Sequence, residues 1–359
     1  MTVCENAMAI LRYQNYTQIP VVDFGWWPET RDKWIMENHI DEEDEYKTIQ
    51  MKLGFDFDWS RCIGLNTGLF PSFEYRVLEK QKDGFIRAID YSGVIILTKP
   101  GVQGIPIDID YTLKTREDWE SLYKPKLKFT PERAGDIFDN FNKNRDKPLG
   151  LFCGSLYGQI RNWLTLTGIS YLYADDEDLY SEIIDTVGEL EYQCVKYAVE
   201  NGCIPDYGHF WEDICYKNGP LVSPSIFREK VAAHYLRITT LLNGNGIDII
   251  SLDCDGNIDA LVPIWLENGV NTMFPIEVGA WEGSIEKWRK KYGKEIRGVG
   301  GMDKCVFAYD YKAVDIEIER LKPLIALGGY IPCPDHRIAP DAKWENVQYY
   351  CDRMRNVIK

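Results

Sequence analysis

The chain lacks the marks of several large protein classes. No stretch of about eighteen or more apolar residues occurs, so no membrane-spanning helix is expected. Its ten cysteines include no Cys-x-x-Cys pair, which argues against a structural zinc ribbon or a thioredoxin-like redox motif. The opening Met1-Thr2-Val3-Cys4-Glu5-Asn6 has neither the basic start nor the apolar run of a secretory signal. A cytoplasmic location is expected, with most cysteines reduced and buried as small apolar residues. Positive charge is also short: 41 Lys and Arg stand against 56 Asp and Glu, a net charge of -15. Phosphate binding needs clustered cations, so nucleic acid is not an expected partner. No internal repeat or low-complexity linker divides the chain.

What is present is a rhythm. Eight short apolar runs occur at 19–24, 62–66, 149–153, 204–210, 247–253, 270–275, 297–301 and 329–332. Helical spacing lies between them. Residues 179–185 and 190–200 repeat apolar positions three and four apart after a polar start at Asp175, Asp176 and Glu177. Ser223-Pro224 starts another helix. Segments 258–268 and 312–327 end at Gly269 and at Gly328-Gly329. Strand–helix alternation of this kind predicts a single TIM-type (β/α)8 barrel domain over 1–359 with an N-terminal extension, its chemistry at the strand C-termini. Residues 73–111 break the alternation. Strand-like stretches at 75–78, 84–89 and 93–97, with turns at Asp83-Gly84 and Ser92-Gly93, predict an inserted antiparallel β excursion near the barrel mouth.

Acidic, thiol and imidazole residues follow the later runs. In a strand, alternate side chains share a face, so Asp253 and Asp255 of Asp253-Cys254-Asp255-Gly256-Asn257 can both point into the barrel mouth. Asp255 can instead cap the following helix. Two carboxylates so near an apolar strand need a compensating cation, metal or substrate. His336, one of only four histidines, sits in Cys333-Pro334-Asp335-His336-Arg337. It suits a general acid, a metal ligand, or a loop histidine bonded to backbone. Cys333 is a thiolate ligand or a filler. In Tyr207-Gly208-His209-Phe210-Trp211-Glu212-Asp213, aromatics and acids suit a pocket wall for a planar substrate, or a core segment followed by a helix start. Gly154-Ser155-Leu156-Tyr157-Gly158 lacks the Lys-Ser or Lys-Thr of a P-loop, though close backbone approach to a ligand stays open.

Taken together, these residues resemble the uroporphyrinogen decarboxylase superfamily, from Pro20 to about Tyr350. The resemblance is carried by Phe24-Gly25-Trp26-Trp27-Pro28-Glu29-Thr30, by Gly154 to Gly158 with Arg161, and by Trp211-Glu212-Asp213 leading to Asn218-Gly219-Pro220-Leu221. Further carriers are Asp253 to Asn257, Gly300-Gly301-Met302-Asp303-Lys304, and Gly328-Gly329-Tyr330-Ile331-Pro332 with Pro334-Asp335-His336. It implies one TIM-type barrel. True decarboxylases of the superfamily share an Arg-Gln-Ala-Gly-Arg motif that grips porphyrinogen carboxylates. The matching Asp23-Phe24-Gly25-Trp26-Trp27 has no cation, although His336 does match the histidine of their C-terminal motif.

The resemblance is nearer to the superfamily's corrinoid-dependent methyltransferases. Their zinc enzymes carry His-x-Cys, a later Glu, and a Cys after the last strand. Here Asp253 and Asp255 occupy the first two positions, Glu277 follows Asp255 by 22 residues, and Cys333 or His336 fills the last. The resemblance thus implies a zinc or other metal site drawn from Asp253, Asp255, Glu277, Cys333 and His336. Oxygen and imidazole donors would make such a metal harder and more Lewis-acidic than a thiolate set. The expected activity is methyl transfer from a small O-methyl donor, a methoxylated aromatic, to the cobalt of a corrinoid carrier protein. His336, Asp253 and Asp255 are the expected catalytic residues, and Trp26, Tyr157, Arg161, His209, Trp211 and Glu212 the expected substrate contacts. A homodimer stays open, and neither membrane nor nucleic acid is an expected partner. The rival readings are a uroporphyrinogen-type decarboxylase and a non-catalytic corrinoid- or tetrapyrrole-binding protein.

Overall fold

A computed structural model describes residues 1–101, 105–141 and 145–357. The parts of the expected domain at 142–144 and 358–359, and of the expected excursion at 102–104, lie outside the described residues. In chain order the strands are β1 (Val22–Asp23), β2 (Phe57–Asp58), β3 (Arg76–Lys80), β4 (Ile86–Ile89), β5 (Val94–Thr98), β6 (Ile107–Tyr111), β7 (Gly150–Gly154), β8 (Tyr207–Trp211), β9 (Cys215–Tyr216), β10 (Gly219–Pro220), β11 (Ile250–Asp253), β12 (Thr272–Phe274), β13 (Arg297–Met302) and β14 (Tyr330–Pro334).

Six of them form one parallel sheet in the order β14-β13-β12-β11-β8-β7. The mixed α/β architecture is consistent with a TIM-type fold. Strands β11, β12 and β14 are buried along their whole length, which is why their sequences read as continuous apolar runs and not as alternation. Helices cross from each strand to the next. The longest, Glu177–Glu200, starts at Asp176, whose carboxylate accepts from the Leu179 amide. The polar start at 175–177 announces it, and its apolar stripe packs on β7. Val3–Leu11 precedes β1 and is fixed by a capping box between Thr2 and Glu5.

Strand β2 departs from the sequence-based expectation. The apolar run at 62–66 is not a strand; pairing falls instead on Phe57–Asp58, parallel to β1. Only Ile63 of the run makes a bridge, to Leu151 of β7. The tie between β1 and β2 is polar: Tyr46 Oη lies 2.7 Å from an Asp23 oxygen and 2.6 Å from an Asp58 oxygen, and hydrogen-bonds both carboxyl groups. At the other edge Trp26, just after β1, bridges to Ile338, just after β14. The helix expected over 258–268 is shorter, Val262–Glu267, because residues 258–261 form turns around Asn257 and Leu261.

Strands β3 to β6 make a four-stranded antiparallel sheet. Its β6, whose Ile-Asp-Ile-Asp pattern is mostly exposed, was not among the strand-like stretches expected at 73–111. Among the described residues, no helix is long and apolar enough to cross a membrane.

The sheet's period of two sets the direction of its side chains. Phe152, His209, Ser251 and Thr272 stand in register across four neighbouring strands, and Trp211, Asp253 and Phe274 form the next row toward the strand C-termini. On this face Trp59 donates through Nε1 to Ser251 Oγ at 2.9 Å and stacks on Tyr207 at 4.0 Å. The opposite face meets the helices, as Phe210 does with Tyr235 at 5.0 Å between ring centroids.

Strand β13 approaches the segment after β12 so closely that Gly300, at φ +128°, would place a Cβ 1.5 Å from the Pro275 carbonyl oxygen. Gly300→Ala is expected to cost roughly 2–4 kcal/mol, measured as a lower urea midpoint. An unchanged midpoint would show that this contact yields freely.

Candidate functional site

A cavity of about 520 Å³ opens at the C-terminal ends of β7, β8 and β11. Phe152, His209, Trp211 and Asp253 line it from the strands, and Asp213 and Asp255 from the loops that follow. Phe24, Trp27, Ser60, His336 and Arg337 come from loops after β1, β2 and β14, and Ile105 from the connection between β5 and β6.

Its floor is buried and polar. His209 is only 2% exposed; burial pushes its imidazole down to about 3, so the ring is neutral, and its Nδ1 has no partner among the described residues. Asp253 is 6% exposed. Burial, then the neighbouring carboxylates Asp255, Asp213 and Asp58, push its carboxyl well above the usual range, with Arg337 opposing weakly. Asp213 is raised for the same reasons, burial first and Asp255 second. It adopts φ +52°, a left-handed backbone rare outside glycine, and its Oδ1 accepts the Asp255 amide at 3.2 Å. Arg161 Nη2 donates to the Asp213 carbonyl at 2.8 Å.

Asp255 faces His336, Nε2 to Oδ2 3.3 Å, while its Oδ1 is buried without a partner among the described residues. The imidazole of His336 is wedged between aromatics: Trp27 stacks on it at 5.5 Å and Phe24 meets it edge-on at 5.7 Å. The Arg337 guanidinium covers Trp27, 5.4 Å from the ring centroid. Phe24 also packs on Phe274 at 4.5 Å. The walls are thus four aromatic rings, and the polar end carries three carboxyls and two imidazoles.

The expected residues divide. Asp253, Asp255, His336, His209 and Trp211 line the cavity. Trp26 does not: it stacks on Tyr46 at 4.3 Å in the core, and its neighbour Trp27 takes the cavity wall. Tyr157 is buried among Tyr180 and Phe227. Arg161 lines a separate cavity beside β6, together with Thr165 and Tyr216. Glu212 lies on the helix-facing side because Trp211 and Asp213 take the cavity side. Its wholly buried carboxylate accepts from the amides of Leu156 at 2.9 Å, Tyr157 at 3.0 Å and Gly158 at 2.6 Å, from Ser155 Oγ, and from Tyr235 Oη. Glu212 thus holds the N-terminus of helix Gly158–Asp175. Gly158 is needed there, since a Cβ would lie 1.9 Å from the Glu212 carbonyl oxygen.

Among the described residues no three His, Cys, Asp or Glu side chains come together to hold a metal ion. Of the expected five, Cys333 is completely buried, its thiol pushed well up by burial and by nearby carboxylates, Asp23 first. It does not line the cavity. Glu277 accepts the Gly256 amide at 2.5 Å, and Asp255 is turned to His336. This donor set does not fit a metal, and no metal enters the chemistry below.

Phe24, Ser60, Ile105, Phe152 and Arg337 line the cavity without having been singled out, and Trp27 and Asp213 were read only as parts of longer aromatic and acidic segments. The two-residue period through Phe152 and the 207–213 segment carried the signal for Phe152 and Asp213. The residues after β1 and β2 carried none, because their direction depends on loop geometry.

No family model and no curated protein matches the sequence. The fold is similar to that of solved structures. A methyltransferase from Methanosarcina mazei aligns over 100% of both chains with a TM-score of 0.62 and 13% identity. A B12-independent methionine synthase from Shewanella sp. W3-18-1, solved with selenomethionine, aligns over 95% of this chain and 99% of its own, with a TM-score of 0.47 and 11% identity. At 13% identity the likeness to the Methanosarcina mazei structure concerns the fold alone.

Glu212→Ala strands three buried amides and the Tyr235 hydroxyl, so a loss of roughly 3–5 kcal/mol is expected, measured by denaturant titration. A wild-type midpoint would contradict the clamping role.

Proposed function

We propose that the protein is a methyltransferase that takes a methyl group from a small methoxylated donor and passes it to the cobalt of a corrinoid held by a partner protein. The observation that carries this reading is Asp253. It is a carboxyl at the cavity floor, lodged among aromatic walls, which burial and the neighbouring carboxylates Asp255, Asp213 and Asp58 push well above the usual range. An ether gives up its methyl with both bond electrons moving to oxygen, and that oxygen then needs a proton. A neutral carboxyl at the closed end of an aromatic cavity is suited to deliver it.

Support comes also from the fold shared with the Methanosarcina mazei methyltransferase. The cavity, at about 520 Å³, suits a donor of one substituted ring; a corrin macrocycle would stay with its carrier, over the mouth beside Trp27, Ile105 and Arg337. The reduced corrinoid would supply the nucleophile. Trp27, Trp211 and Phe152 would orient the donor ring. His336, steadied by Asp255, Trp27 and Phe24, would hydrogen-bond the departing oxygen. In the same reading, the six-stranded sheet and the β1–β2 pair form one eight-stranded barrel, joined at the Ile63–Leu151 and Trp26–Ile338 bridges. The β3–β6 sheet then belongs to the mouth, where Ile105 lines the cavity.

Anaerobic assay with cob(I)alamin carrier and a panel of methoxylated aromatics tests the reading. Methylated corrinoid and the demethylated phenol should appear in equal amounts, with uroporphyrinogen untouched. Carbon dioxide from uroporphyrinogen, without methyl transfer from any donor, would overturn it. His336→Ala should lower kcat roughly a hundredfold with the fold intact; full activity would remove His336 from the chemistry. Only the protonated form of Asp253 can donate. Because its carboxyl is raised, kcat should be high below that elevated pKa, above the ordinary carboxylate range, and fall as pH rises through it. Asp253→Asn should abolish this alkaline limb along with most of the rate.

A further inference from the structure

Resting on the reading of this cavity as the donor site, we propose that its preferred donor is an organic cation: a methoxylated ring carrying a primary ammonium group. Three carboxyl side chains line the cavity, Asp213, Asp253 and Asp255, against one guanidinium. That guanidinium, Arg337, is exposed and lies over Trp27, 5.4 Å from the ring centroid.

The acids alone would be an ordinary polar cluster. A second observation points to a ligand. His209, almost wholly buried at the cavity floor, has an Nδ1 without a partner among the described residues, and so does the buried Oδ1 of Asp255. A buried polar atom left unpaired is costly, and a ligand N–H that reaches Asp255 Oδ1 would satisfy it.

The walls add to this. Phe24, Trp27, Phe152 and Trp211 offer ring faces and edges to the same space, and a cation against aromatic faces gains from their quadrupoles. A carboxylate-bearing ring would meet Asp213 and Asp255, with one guanidinium, Arg337, to offset them. A ring without an N–H or O–H donor would fill the volume and leave Asp255 Oδ1 unsatisfied, and a neutral hydroxyl would bring the bond without the charge. Charge complementarity therefore favours the ammonium.

Calorimetry on the intact protein at neutral pH, without any corrinoid, compares three ligands of one shape: meta-methoxyphenethylammonium, meta-methoxyphenethyl alcohol and meta-methoxyphenylpropanoate. The ammonium should bind about tenfold or more tighter than the alcohol, weaken with added salt, and leave the propanoate weakest. Asp213→Asn and Asp255→Asn should each erase most of that preference, read as the ratio of ammonium to alcohol affinity. Equal or tighter binding of the alcohol or the propanoate, or no measurable ammonium binding, would overturn the inference. The wild-type comparison stands even if a variant fails to fold. Ammonium preference without methyl transfer would defeat the proposed function and leave the inference standing. Methyl transfer from neutral donors, with no ammonium preference, would do the reverse.

Discussion

A carboxyl group buried beside a parallel sheet must be hydrogen-bonded, paired or protonated, and much of this protein is arranged around that requirement. The 207–213 segment and the end of β11 bring Glu212, Asp213, Asp253 and Asp255 into one end of the structure. Each meets the requirement differently. Glu212 is surrounded by amide and hydroxyl donors from the start of helix Gly158–Asp175 and from Tyr235. Asp255 turns one oxygen to His336. Asp253 lacks such donors among the described residues, and its carboxyl is pushed up. Asp23 shows the same principle: burial and Asp58 raise it to about 7, and Tyr46 and Gln50 share the load.

These different solutions separate structure from chemistry. A carboxylate saturated with backbone donors has little left to offer a substrate, so Glu212 serves the fold. Asp253, which burial and its neighbours push well above the usual range without such donors among the described residues, is the one that the proposed reaction uses. The aromatic residues sort in the same way. Trp26 and Tyr157 are committed to Tyr46, Tyr180 and Phe227, whereas Trp27 and Trp211 leave ring surface toward the cavity.

Much of the sheet was legible because buried parallel strands announce themselves as apolar runs: β11 to β14 lie within or beside the stretches expected of them. The second strand was not. Phe57–Asp58 is too short and too polar to be told from a loop, and the longer run at 62–66 drew the eye instead. Strand β6 was hidden by its alternation of exposed isoleucine and aspartate. At the site, Asp253, Asp255 and His336 were readable from their place after strand ends. Glu212 was misread because the period of two sends it away from the cavity that Trp211 and Asp213 face. Trp26 was chosen over Trp27 because adjacent residues of one loop point apart, and only the Trp26–Ile338 bridge decides which way. The five expected metal ligands failed to converge for a related reason: Cys333 lies inside β14, not beyond its end.

The protonation state of Asp253 is the pivot between these observations and the proposed chemistry. Infrared difference spectroscopy between the wild-type protein and Asp253→Asn, recorded across a pH titration, reads that state directly. A carboxylic C=O stretch that persists at neutral pH and disappears only on raising the pH is the expected result. An Asp253 already ionised at neutral pH, and titrating in the ordinary carboxylate range, would contradict it.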